Sequence, residues 1–102
     1  MPCNTVQYTS IDASKMQTPL LVRALERLGY QVHQHVAGRV IQFSRSAELG
    51  SYSDGRLRVP VGFDGARLTR AYSRELVKAQ AARAGFAVRE VDETHLEMFK
   101  RA

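Results

Sequence analysis

The sequence predicts an α+β domain, with one mostly antiparallel sheet and two helices packed on one face. Three observations predict it. Two stretches repeat their apolar residues at helical spacing, and each ends at a glycine, Gly29 or Gly85. Short alternating runs between and after them come in pairs around turn residues. A sequence echo then relates the two halves: Gly29-Tyr30-Gln31-Val32 matches Gly85-Phe86-Ala87-Val88 at an offset of 56 residues. The same offset carries Phe43 onto Phe99 and Arg45 onto Arg101, which suggests a duplicated β-α-β-β unit. At 102 residues the chain makes a single domain, 1–102, large enough to bury a core without staples.

The first strand is expected over residues 4–10, where Val6 and Tyr8 alternate with polar neighbours. Residues 11–17 read as a polar connection. Thr18 then offers a capping hydroxyl before Pro19, a residue suited to the first helical position. The first helix should span 19–28, burying Leu21, Ala24, Leu25 and Leu28 and turning Arg23, Glu26 and Arg27 away.

Residues 30–36 and 39–45 read as a hairpin around Ala37 and Gly38. Counting outward from that turn pairs Val32 with Phe43 and Gln34 with Ile41, with Gln31, His33, His35, Gln42 and Ser44 on the polar face. A polar loop is expected over 46–50. A second hairpin follows, 51–53 with 56–59, around the strong turn signal Asp54-Gly55. Pro60 cannot donate to a ladder, so this strand ends there or lies at an edge.

The long helix runs between Asp64, an N-cap residue, and Gly85. Leu68, Tyr72, Leu76 and Ala79 share its apolar face. Arg67, Arg70, Arg74 and Lys78 share another. Arg67 and Lys78 are eleven steps apart, roughly 1100°, so they lie about 20° from each other around the axis. Glu75, the single acid of the helix, borders both faces and can pair with Lys78. Val77 lies opposite Leu68. The last hairpin is expected over 86–91 and 95–99. Its alternation points Leu96 and Met98 inward, whereas the echo points Phe99 inward.

The formal charge is +5, with twelve arginines and three lysines against ten acids. Such a balance favours polyanionic partners and leaves the fold open. Cys3 is the single cysteine, which excludes an internal disulfide and a CxxC zinc site and suits a reducing, cytoplasmic setting. No apolar run is long enough to cross a membrane, and the first residues lack a signal-peptide pattern.

No GxGxxG or Walker pattern is present, and Gly50, Gly55, Gly62 and Gly65 are spaced as turns. His33 and His35, two apart on a strand, could supply two metal ligands, but no spacing recommends a third. An exposed polar sheet face accounts for them more simply. The serines near the turns lack a nucleophile elbow, and Asp92 and Glu93 read as turn residues. The sequence therefore calls for no catalytic residue, cofactor or metal, although a small site assembled from distant residues would not be visible in it.

The run Leu21-Val22-Arg23-Ala24-Leu25-Glu26-Arg27-Leu28-Gly29-Tyr30-Gln31-Val32 carries a resemblance, together with Arg70-Ala71-Tyr72-Ser73 and Ala82-Arg83-Ala84-Gly85-Phe86. It resembles a family of small proteins of unknown function, known as a hypothetical chloroplast reading frame in plastids and cyanobacteria, with bacterial and phage relatives. The Met1-Pro2-Cys3-Asn4-Thr5 opening looks more like the phage and bacterial members. The resemblance covers most of the chain. It implies a short accessory protein and brings no activity, cofactor or catalytic residue.

Two kinds of binding follow from these residues. In the first, Arg67, Arg70, Arg74 and Lys78, with Arg56 and Arg58 on one side of a strand, contact the phosphates of a nucleic acid or nucleoprotein. In the second, the same stripe meets an acidic protein surface, with Val77 as an apolar contact, as in an assembly subunit or a phage-encoded inhibitor of a host protein. Edge strands could also pair two copies into a homodimer.

Overall fold

The computed structural model describes residues 7–34, 40–92 and 95–100. In chain order the elements are β1 (Tyr8–Asp12), α1 (Thr18–Arg27), β2 (Gln31–Gln34), β3 (Val40–Arg45), β4 (Glu48–Ser53), β5 (Arg56–Pro60), α2 (Gly65–Arg83), β6 (Phe86–Glu90) and β7 (Leu96–Lys100). Five strands form one antiparallel sheet in the order β1-β5-β4-β3-β2, and both helices cover one of its faces. The α+β class stands. The expectation of one sheet is corrected, because among the described residues β6 and β7 pair with each other and not with the five-stranded sheet.

Alternation along the strands sets the two faces. Ile41, Phe43, Leu57 and Val59 point at the helices and are buried. Phe43, Leu57 and Val59 meet Leu21, Ala24 and Leu25 of α1 and Leu68 and Tyr72 of α2. Full burial of each large side chain contributes roughly 1.5–3 kcal/mol. Tyr30 packs its ring edge-on to Phe43, with centroids 5.4 Å apart. The Tyr72 hydroxyl accepts from the backbone N–H of Gln17 at 2.8 Å and so ties α2 to the start of α1.

The expected pairs Val32 with Phe43 and Gln34 with Ile41 are both present. The turn at Ala37 and Gly38, and His35 beside it, lie outside the described residues. Gln31 and His33 are exposed, as expected of the polar face. Asp54 and Gly55, at φ 49° and 76°, make the second hairpin turn. Pro60 closes β5, paired with Tyr8.

Three expectations are corrected. Of the first strand expected over 4–10, residues 4–6 lie outside the described residues; the described strand runs on to Asp12, and Ile11 rather than Tyr8 turns toward the helices. Gln17 takes the N-cap position of α1, with Thr18 and Pro19 inside the first turn. The polar loop over 46–50 is a tight turn and the start of β4. Ser46 adopts φ 54° there, and Gly50 pairs with Phe43. A Cβ at Gly50 would lie 2.4 Å from Phe43 Cε2, so this glycine lets the ring lie against the strand.

The echo extends to the backbone. Leu28 N–H bonds to Ala24 O and Leu25 O, and Gly29 N–H to Glu26 O. At the same offset of 56 residues, Ala84 N–H bonds to Gln80 O and Ala81 O, and Gly85 N–H to Ala82 O. Gly29 and Gly85 have φ of 92° and 85°. The helix ends, Arg27 and Arg83, keep the same offset. The echo therefore covers the helix exits. In the last hairpin Leu96 is half-buried, while Met98 and Phe99 are 58% and 45% exposed.

Candidate polyanion-binding surfaces

The carboxylate of Asp64 accepts from the backbone N–H of Arg67 at 3.0 Å and caps α2. One turn apart, Arg67 and Arg70 stand exposed at this end of the helix. The C-terminal turn of α1 runs alongside and adds Arg27. Together Arg27, Leu28, Arg67, Arg70, Ala71 and Arg74 line a groove of about 390 Å³. Arg70 makes no ion pair among the described residues.

The far half of the basic stripe is occupied by internal contacts. Glu90 of β6 receives Arg27, Arg74 Nε at 3.5 Å and Lys78 Nζ at 3.4 Å. Glu75, buried on α2, takes Lys78 at 3.6 Å and Arg27 at 4.0 Å. Arg74 also donates to the carbonyl oxygens of Asp92 and His95, and its side chain is only 10% exposed. The basic face read from the sequence is thus divided. Arg67 and Arg70 are exposed, and Arg74 and Lys78 clamp the last hairpin to the helices. Burial pushes the Glu90 carboxyl up, but Arg27 and Lys78 outweigh it and hold it below the usual carboxylate value.

Arg56 and Arg58 lie elsewhere. They alternate with the buried Leu57 and Val59, so they point away from the helices onto the open face of the sheet. The seven residues read from the sequence therefore form two surfaces on opposite sides of the sheet. Val77 is 39% exposed on α2. A second concavity, about 460 Å³, lies on the open face, where Tyr8, His33, Gln42, Leu49, Ser51 and Arg58 are among its lining.

Two contributors escaped the sequence reading. Arg27 reads as a solvated helix residue, and only the packing of α1 on α2 brings it to the groove. Its place in the last turn of α1, where a cation suits the helix dipole, was the available signal. Tyr8 reads as a core residue if the strand is phased from Val6, and the pairing of Thr9 with Val59 and Ile11 with Leu57 turns it to the other face. His95 Nδ1 lies 2.9 Å from Asp92 Oδ1 in an exposed pair. No group of three potential metal ligands occurs among the described residues, and Cys3 lies outside them. No described helix is long and apolar enough to cross a membrane. Comparison of the chain with protein-family models, with curated proteins and with solved structures returns no match.

Proposed function

We propose that this chain is a small non-catalytic binding protein that holds a polyanionic partner, a nucleic acid or nucleoprotein, against the groove between α1 and α2. One observation carries the reading: four guanidinium groups, of Arg27, Arg67, Arg70 and Arg74, line that groove. Guanidinium forks suit phosphate oxygens, and each phosphate neutralised releases counterions. Arg74, fixed by Glu90 and two carbonyl groups, stiffens the wall. Arg67 and Arg70 supply the reachable charge. A cytoplasmic accessory role, of the bacterial or phage type that the resemblance implies, fits such a protein.

The test is affinity for a labelled oligonucleotide as a function of salt, for the parent and for Arg67→Glu/Arg70→Glu. The double reversal should keep the circular dichroism spectrum and lose most of its low-salt affinity. Its dependence on log salt should flatten by about one to two units. Equal binding by a folded double reversal would remove the groove from the interface.

A second reading, docking on an acidic protein surface, draws on Val77, an exposed apolar side chain of the same helix. Val77→Ala should weaken a packed protein interface and leave phosphate contact unchanged.

A further inference from the structure

The face of the sheet that no helix covers carries its own chemistry. The ladder registers align one row of side chains across all five strands: His33, Gln42, Ser51, Arg58 and Ser10. At about 4.8 Å per strand this row spans roughly 19 Å. It offers a cation and several groups that both donate and accept hydrogen bonds. Beside it, the guanidinium of Arg58 lies 5.2 Å from the centre of the Tyr8 ring. Leu49, also exposed, adds an apolar contact to the same concavity. Among the described strand residues that alternate onto this face, Asp12 is the only carboxylate, and it sits at the end of β1 opposite Arg56.

We infer that the open sheet face binds single-stranded nucleic acid, with a base stacked on the Tyr8–Arg58 pair and phosphates near Arg56 and Arg58. Charge decides the class of partner. Two arginines with a single peripheral carboxylate attract a polyanion. An aromatic ring and a guanidinium plane on a sheet surface suit unpaired bases, because every base has a π-face. A duplex hides those faces and would meet only the arginines. The inference rests on the polyanion reading above but uses the opposite side of the sheet, so the two can fail separately.

The experiment measures binding of a labelled oligothymidylate of about 16 nucleotides, and of its duplex with oligoadenylate, by fluorescence anisotropy. Parent, Tyr8→Ala, Tyr8→Phe, Arg58→Ala and Arg67→Glu/Arg70→Glu are compared. Tyr8 is exposed on an edge strand, so its truncation spares the core. Tyr8→Ala should weaken single-strand binding about 5- to 150-fold and duplex binding hardly at all. Tyr8→Phe should restore the single-strand affinity, and Arg58→Ala should weaken it. If those losses appear while the groove double reversal binds the single strand as the parent does, the sheet face stands and the groove reading fails. If Tyr8→Ala and Arg58→Ala both match the parent, the sheet face is overturned, whatever the groove variant does. A parent dimer that Tyr8→Ala disperses would also overturn it, by showing that a second copy covers this face.

Discussion

Arg27, in the last turn of α1, donates to Glu90 of β6 across 63 residues of sequence. This contact joins α1 to the last hairpin. Glu90 also takes Arg74 and Lys78, so one carboxylate anchors three cations from two helices. Glu90→Gln should leave Arg74 largely buried without its carboxylate. We expect a loss of roughly 1–3 kcal/mol, concentrated in the hairpin. Hydrogen exchange checks this: amides of β6 and β7 should lose protection well before those of β3 and β5.

The same carboxylate sets an acid limit. Its folded value lies below the ordinary 4.5, because Arg27 and Lys78 together outweigh the opposing effect of burial. A depressed acid contributes stability that is present above the unfolded value and lost as pH falls through the folded one. The hairpin clamp should therefore weaken below about pH 4.5 and not above it. Unfolding midpoints of parent and Glu90→Gln should converge as pH falls through that range.

Tyr30 sets the alkaline counterpart. Burial, then the hydrogen bond to Glu48 at 2.8 Å, pushes its hydroxyl up to about 12. A raised folded value contributes stability that is complete below the unfolded value, near 10, and disappears as pH rises toward 12. Ultraviolet titration of parent and Tyr30→Phe should differ by one late step near pH 12. The variant should also lack that portion of the parent's alkaline destabilisation. An identical pair of titration curves would contradict the burial of this hydroxyl.

Gly50 gives a packing prediction. Its missing Cβ is the space into which the Phe43 ring fits, with Phe43 Cζ only 2.5 Å from where that atom would be. Gly50→Ala must push a buried aromatic ring aside, at a cost of typically 1–3 kcal/mol. Leu25→Ala, which opens a cavity at a fully buried site, should cost more, about 2–5 kcal/mol. Leu76→Ala should cost less than Leu25→Ala, since Leu76 is only partly buried. Chemical denaturation of the three variants checks the order.

Gly50 also marks where the sequence stops being legible. A glycine in a polar run reads as a loop, because the Phe43 ring that requires it arrives from another strand. Elements announced by local chemistry were readable: the Asp64 cap, the Asp54-Gly55 turn, the helix exits at Gly29 and Gly85, and the pairing of Val32 with Phe43. The basic helix face was readable as a charge pattern. Its division was not, because Glu90 reaches Arg74 only after the hairpin folds back on α2. Arg27 and Tyr8 were misplaced for the same reason: one depends on helix packing and the other on the phase of an edge strand.

The repeated helix exits give the last prediction. Gly29 and Gly85 both adopt positive φ, at 92° and 85°, with matching hydrogen bonds just before them. Space is not what excludes a side chain. An added Cβ at Gly85 meets nothing within 4 Å, and at Gly29 its nearest neighbour is Arg45 Cδ at 3.5 Å. The cost of alanine is therefore conformational, about 1–2 kcal/mol at either site. The consequences should nevertheless differ. Gly29 leads into Tyr30 and β2, which belong to the main core and sheet, so Gly29→Ala should lower the global unfolding midpoint. Gly85 leads into β6, which pairs with β7 in a separate two-stranded sheet, so Gly85→Ala should mainly loosen the hairpin. Hydrogen exchange separates the outcomes: Gly29→Ala should lower protection throughout the five-stranded sheet, and Gly85→Ala only in β6 and β7. A global loss of equal size from both variants would show that the last hairpin is part of the same cooperative unit as the sheet.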